Sequence, residues 1–254
     1  MKIISLNIWG GKIYEPLIHF MKSHANSVDI FCLQDILFGS EPIFSPKSHG
    51  RINIFNEIKE ILSDFNYAIF KTPNESHFHD ELLDPSIGCG QVIFTRKSFL
   101  ILESGGFRTP QSGFFNGGDL ANGKYHWVRI NLSGKDFIIM NSHGIWQRDS
   151  QKNDTPERIV QSQNIEDFFA SVTGKKILCG DLNLALETKS IKILEENMIN
   201  LIKNYNIEST RSTHYTKPGK FADYIFVSPD VVVKEFGVLP DEVSDHLPLY
   251  IDFE

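Results

Sequence analysis

Six short segments of the chain join an apolar, strand-like run to polar residues that a strand gains nothing by carrying. Asn7 follows Ile3-Ile4-Ser5-Leu6, Gln34-Asp35 follows Ile30-Phe31-Cys32-Leu33, and Asn141-Ser142-His143 follows Phe137-Ile138-Ile139-Met140. Gly180-Asp181-Leu182-Asn183 leaves an apolar run, Asp223 stands inside Phe221-Ala222-Asp223-Tyr224-Ile225-Phe226-Val227, and Ser244-Asp245-His246 is read as opening the last strand. Polar side chains buried without partners are costly, so a set of them at strand ends is expected to ligate a metal or meet a substrate. Hard oxygen donors such as Asp35 and Asp245, with an amide oxygen nearby, suit Mg²⁺ or Mn²⁺. An Asp and an Asn two residues apart on an extended segment share a face. On that reading Asp181 positions a water while Asn183 orients it or the phosphate. His143 and His246 supply donors for phosphoryl oxygens as charge builds in a transition state. Asp223 behind His246 would fix its tautomer and favour its charged form. The chemistry these types can do together is metal-assisted hydrolysis of a phosphate ester.

Each piece alone has an ordinary reading: Asn7 as a turn former, Gly180–Asn183 as a strand-exit turn, His143 as a satisfied core histidine. The ordered set is more specific. Ser5-Leu6-Asn7, Leu33-Gln34-Asp35, Asn141-Ser142-His143, Gly180-Asp181-Leu182-Asn183, Ala222 to Ser228 and Ser244-Asp245-His246-Leu247-Pro248 together resemble the endonuclease/exonuclease/phosphatase superfamily, with its deoxyribonuclease I-like fold. The resemblance spans essentially the full length. It implies a four-layered α/β sandwich, two packed mixed β-sheets flanked by helices, within one domain covering 1–254. It also implies divalent-metal-dependent phosphoester hydrolysis by an activated water, with no covalent enzyme intermediate. On this resemblance Asn7 and Asp35 form the metal-side pair, and Asp245 is an acid near the metal. Asp181 activates or aligns the water with Asn183 as its partner, His143 and His246 bind phosphate, and Asp223 pairs with the terminal histidine. One departure stands out: the family usually has Gln-Glu where this chain has Gln34-Asp35. The shorter side chain requires the ion to shift toward that strand or a water to fill the gap.

The elements that must position these residues read as short strands alternating with a few amphipathic helices. Strand-like runs are Ile3 to Trp9, Val28 to Leu33, Tyr67 to Lys71, Gln91 to Thr95, His126 to Leu132 and Phe137 to Ser142. Lys176 to Gly180, Ala222 to Ser228, Val231 to Val238 and Leu249 to Phe253 complete the set. Helical periodicity covers Ile52 to Leu62, Pro156 to Val172 and Thr188 to Asn197. The second of these opens with Asp154-Thr155-Pro156-Glu157, an N-cap signal with proline just inside. Arg158 and Gln161 to Gln163 on it are expected to be solvated or to pack against a neighbour.

Two stretches read as loops. Thr72 to Gly90 is polar, and its His77-Phe78-His79-Asp80-Glu81 is either a solvated loop or a transition-metal site. Gly105 to Gly123 is glycine-rich, and with Arg108, Phe114 and Phe115 it is either a substrate-contacting loop or an ordinary long connection. The Lys217-Pro218-Gly219-Lys220 turn brings positive charge shortly before Asp223, so Lys220 joins Arg108, Asn183 and His143 as a candidate substrate contact.

With 254 residues and a formal net charge of −7, the chain has apolar content for a real core and an acidic balance that gives no support to sequence-blind nucleic-acid binding. The three cysteines are too few for a disulfide framework; Cys32 and Cys179 read as core residues and Cys89, between two glycines, as more exposed. No signal-peptide pattern and no bilayer-length apolar stretch is present, so a cytoplasmic monomer without a membrane span is the expectation. The expected partner is a phosphate-ester substrate, with a nucleic acid or a small phosphodiester favoured. The alternatives are a phosphoinositide or other phosphomonoester phosphatase, and a non-catalytic binding protein that retains the fold.

Overall fold

Twice along the chain a helix connects two strands that pair in parallel, and these two crossovers organise the molecule. The computed structural model describes residues 1–72, 77–78, 81–84, 86–109, 123–147 and 151–254. The first crossover is β1 (Lys2–Asn7), α1 (Tyr14–His24) and β2 (Ile30–Phe38). It is followed by α2 (Ile54–Ile61), β3 (Phe65–Thr72), the short strands β4 (His77–Phe78) and β5 (Glu81–Leu82), and β6 (Gly88–Arg96). Next come β7 (Ile101–Arg108) and β8 (Lys124–Leu132). The second crossover is β9 (Lys135–His143), α3 (Pro156–Ser171) and β10 (Lys175–Asp181). The chain ends with α4 (Lys189–Glu195), β11 (Ile199–Asn200), α5 (Leu201–Asn204), β12 (Asp223–Val227), β13 (Val233–Val238) and β14 (Leu249–Phe253).

Two six-stranded mixed sheets result, ordered β13-β14-β1-β2-β6-β3 and β11-β12-β10-β9-β8-β7. Each has one parallel pair at its centre, β1 with β2 and β9 with β10, flanked by antiparallel neighbours. Strand alternation divides the core. In the first sheet Ile3, Ile30, Cys32 and Ile93 pack into the cluster shared with the second sheet. Ile4, Leu6, Phe31, Leu33 and Phe94 turn the other way, onto Leu17, Phe20 and Met21 of α1 and Ile54 and Ile58 of α2. On the outer side of the second sheet, Ile165 and Phe169 of α3 and Ile191 and Leu194 of α4 join the core. Helices, sheet, sheet, helices: the four-layered sandwich expected from the sequence is observed.

Several local expectations are corrected. The last strand begins at Leu249, so Ser244-Asp245-His246 lies ahead of it, tethered by a bridge between Arg211 and His246. Gly105 to Arg108 belongs to strand β7 rather than to a loop, while residues 110–122, with Phe114 and Phe115, lie outside the described residues. The same holds for His79 and Asp80 of the candidate transition-metal stretch, and for the side chains of His77 and Glu81. Cys89 is buried, because β6 is covered on both faces, and its thiol donates to Asp35 Oδ1 at 3.6 Å. Thr155 is the N-cap of α3, its hydroxyl accepting from the Arg158 amide. Asp154 instead crosses to the start of α4, accepting from the amides of Lys189 at 2.6 Å and Ser190 at 2.9 Å.

Candidate active site

In both sheets the parallel strands end at the same rim, the location where open α/β sheets gather their ligands. On β1 and β2, Asn7 is in register with Gln34. Across the second sheet, register alone lines up Arg108, Lys124, His143, Asp181 and Asp223 in one row, one residue from each of five adjacent strands. At about 4.8 Å per strand, Arg108 stands about 10 Å from His143, at the margin of the row.

A buried polar brace holds the two sheets together beneath this rim. Gln34 donates to Asn141 Oδ1 at 2.7 Å, and Asn141 Nδ2 donates back to the carbonyls of Leu33 at 3.0 Å and Val92 at 3.1 Å. Gln91 adds a bond to the Asn141 carbonyl at 3.0 Å. Asp35 follows Gln34 at a β-bulge, where β2 shifts register against β6, and has φ of 61°. Such a bulge bends the strand and re-aims one side chain.

Asp181 sits at the centre. Gly180 precedes it with φ of 133°, and a Cβ there would come within 2.0 Å of the Ser142 carbonyl, so only glycine lets β10 close on β9 at this level. Asp181 and Asn183 do not share an extended face as the spacing suggests. Asn183 has φ of 53°, and its amide donates to Asp181 Oδ1 at 2.8 Å, a turn that closes on the carboxylate. The strand-exit turn and the clustering of polar groups are therefore the same feature. Asn7 Nδ2 donates to Asp181 Oδ2 at 3.2 Å, and that oxygen lies 3.6 Å from His246 Nε2 and 3.9 Å from His143 Nε2. Burial raises the Asp181 pKa, but His246, Lys152, His143 and Arg211 outweigh it and hold the carboxyl below its ordinary range.

His246 and Asp223 form a buried pair, with Nδ1 at 2.8 Å from both carboxylate oxygens. Thr210 Oγ1 donates to Asp223 Oδ2 at 3.1 Å. A carboxylate can only accept and a guanidinium can only donate. Nδ1 therefore carries the proton, and Nε2 accepts from Arg211 Nη1 at 2.6 Å. Asp245 Oδ1 is 3.7 Å from the same ring nitrogen, and its Oδ2 is 3.7 Å from Arg211. For His143, burial lowers the pKa; Asp35 and Asp181 pull it back up while Lys124 and His246 push it down, and the net effect is a lowering.

Of the expected metal set, Asn7 contacts Asp181, Asp35 bears electrostatically on His143, and Asp245 lies beside His246. The most compact set of candidate ligands among the described residues is different: Asp181, Asp223 and His246 place ligand atoms within 4.8 Å of one another. Asp223 is already committed to His246, and the oxygens of Asn7, Asp35 and Asp245 are of the hard donor type that a dication takes.

Three cations at the site escape a reading of the sequence. Lys124 is buried in the register row, opposite His143. Arg211 lies against His246 and Asp245, whereas Lys220 is exposed and contributes its carbonyl to Thr210. Lys152 is buried beside Asp181, Asp223, Asp245 and Arg211, and burial lowers its pKa from 10.5 to about 8 despite those carboxylates. Arg158 and Gln161 are buried braces: Arg158 Nε donates to the Ile145 carbonyl at 3.2 Å, and Gln161 Oε1 accepts from the Ile145 amide at 2.8 Å. They fix the segment that leaves His143.

The model of the Endonuclease/Exonuclease/phosphatase family matches residues 4–246. Among solved structures, a mannosyl-6-phosphatase from Bacteroides thetaiotaomicron is similar over 100% of this chain and 99% of its own, at TM-score 0.68 and 18% identity. The human Nocturnin catalytic domain with bound sulfate is similar over 100% and 94%, at 0.69 and 20%. A humanized D. rerio TDP2 is similar over 100% and 98%, at 0.70 and 18%. Among curated proteins, none matches the chain significantly.

Proposed function

The chain belongs to the endonuclease/exonuclease/phosphatase family, and we propose that it is a divalent-metal-dependent hydrolase of phosphate esters working through the site at the shared sheet rim. The observation that carries this reading is the position of Asp181. Its carboxylate is buried and held ionised, and it lies within 4 Å of the ring nitrogens of both histidines. One oxygen is fixed by the Asn183 amide and the other by Asn7, which leaves lone pairs on a rigid carboxylate to accept a proton from water. Water attacks phosphorus as the ester oxygen departs, and Asn183 and His143 bind the phosphoryl oxygens. His246, held by Asp223, meets the charge that develops. Asn7, Asp35 and Asp245 would hold Mg²⁺ or Mn²⁺, which supplies Lewis-acid polarisation of the phosphoryl group and stabilises the leaving oxygen.

The family relationship supports the reaction class, and the residue set supports the roles. No helix of the described residues is long and apolar enough to cross a membrane. The reading is tested by assaying hydrolysis of p-nitrophenyl phosphate esters with added Mg²⁺ or Mn²⁺. His246→Ala is expected to lose most turnover while its circular dichroism stays native. Near-full activity in that variant would remove His246 from the mechanism.

A further inference from the structure

Lys152 is the buried group the hydrolytic scheme leaves unused. The residue is only 9% exposed, and its ammonium nitrogen is buried with no hydrogen-bond partner among the described residues. A buried ammonium with no acceptor is unfavourable, and the three carboxylates that bear on it do not complete it. Arg211 is in a related position. Its Nη1 donates to the lone pair of His246 Nε2, a neutral acceptor on the nitrogen that faces Asp181, and its Nε is buried without a partner among the described residues. The Tyr215 ring carries both cations, 4.0 Å from the Arg211 guanidinium carbon and 5.5 Å from Lys152 Nζ. Two cations held against one aromatic ring beside the reacting groups, each with an unused buried donor, describe a receptor for an anion with several oxygens.

We propose that Lys152 and Arg211 select a dianionic phosphate, so that the site hydrolyses phosphate monoesters in preference to diesters. The proposal rests on the reading of the site as a phosphoester hydrolase. A monoester phosphate carries nearly two negative charges at neutral pH and three terminal oxygens, where a diester has one charge and two. The third oxygen and second charge need a donor and a cation beyond those that serve either ester, and Lys152 and Arg211 supply both. An entering phosphate oxygen gives Arg211 Nη1 an anionic acceptor in place of the imidazole lone pair, and the released Nε2 meets the phosphate only when it carries a proton to donate. Burial also argues against a nucleic-acid backbone as the ligand, because a cation that tracks a polymer of phosphates lines an open groove, while Lys152 is enclosed. The reaction balances simply: the water oxygen bonds phosphorus as the ester P–O bond breaks. One water proton goes to the departing alkoxide, and the products are an alcohol and hydrogen phosphate.

The test compares p-nitrophenyl phosphate with bis-p-nitrophenyl phosphate under Mg²⁺ or Mn²⁺ for the wild type, Lys152→Met and Arg211→Gln. Titration of each protein with inorganic phosphate by calorimetry runs alongside. The wild type is expected to favour the monoester in kcat/KM by at least about tenfold. Each variant should lower the monoester-to-diester ratio by about tenfold or more and weaken phosphate binding similarly. A merely structural role would lower both esters in proportion and leave the ratio unmoved, and that result overturns the proposal. So does a wild type that prefers the diester. If neither ester is hydrolysed yet phosphate binds and both variants lose it, the hydrolase reading fails while the anion-binding pair stands.

Discussion

Replacing Lys152 with methionine removes a buried ammonium and keeps most of its apolar stem, which isolates the energetic cost of the charge. The unfolded chain holds that proton to its ordinary pKa of 10.5, whereas the folded chain releases it at about 8. Folding therefore works against the protonated lysine, and the cost is fully present below about pH 8. It fades as the pH rises from 8 to 10.5, where the folded-state amine is already neutral. At about 1.4 kcal/mol per pH unit, the cost at pH 7 is on the order of 3 kcal/mol. Lys152→Met should be more stable than the wild type by that order, a rise in Tm of about 6 °C or more for a chain of this length. Urea unfolding followed by tryptophan fluorescence at pH 7 and at pH 9.5 measures both the gain and its pH dependence. The gain should shrink to about half at the higher pH. A variant less stable than wild type at pH 7, or a gain that does not change with pH, refutes the picture of Lys152 as a desolvated cation kept for binding.

Asp223→Asn keeps the shape of the buried pair but replaces the carboxylate on His246 Nδ1 with an amide; kcat should fall by about 10²- to 10⁴-fold with the fold intact by circular dichroism. Asn141→Ala strips the brace from the Leu33 and Val92 carbonyls and the Gln34 amide, and the lost buried bonds should cost about 2–4 kcal/mol in urea unfolding. Mg²⁺ or Mn²⁺ should raise the Tm of the wild type, and Asp35→Ala should abolish the rise in a thermal-shift assay.

The order of strands and the polar residues at their ends were legible because alternation and termination are local properties. Ile3-Ile4-Ser5-Leu6-Asn7 reads as a strand with a polar exit without any knowledge of its neighbours. Helix α1 carried a readable signal as well, since Leu17, Phe20 and Met21 recur at helical spacing and are buried, yet Pro16 and the short length masked it. What could not be read is what tertiary register creates. Lys124 reaches His143 only because β8 pairs with β9 at that residue, and Arg211 reaches His246 only through the bridge between two irregular segments. Lys152 lies in a polar loop whose sequence looks solvated, and nothing local says that the chain will bury its amine. The Asp181–Asn183 pair shows the opposite error: the two residues do cluster, but through a left-handed turn at Asn183 rather than along a strand face.

Asp181 is where the account is most exposed, because the water, both histidines and the cations of the site converge on its carboxylate. Purified wild type and Asp181→Asn should be assayed side by side on p-nitrophenyl phosphate, bis-p-nitrophenyl phosphate, plasmid DNA and RNA, with Mg²⁺, with Mn²⁺ and with EDTA. The account predicts turnover that requires the metal, vanishes in EDTA and drops at least about a hundredfold in the variant. Equal turnover in the two proteins, or turnover that survives EDTA, would contradict it.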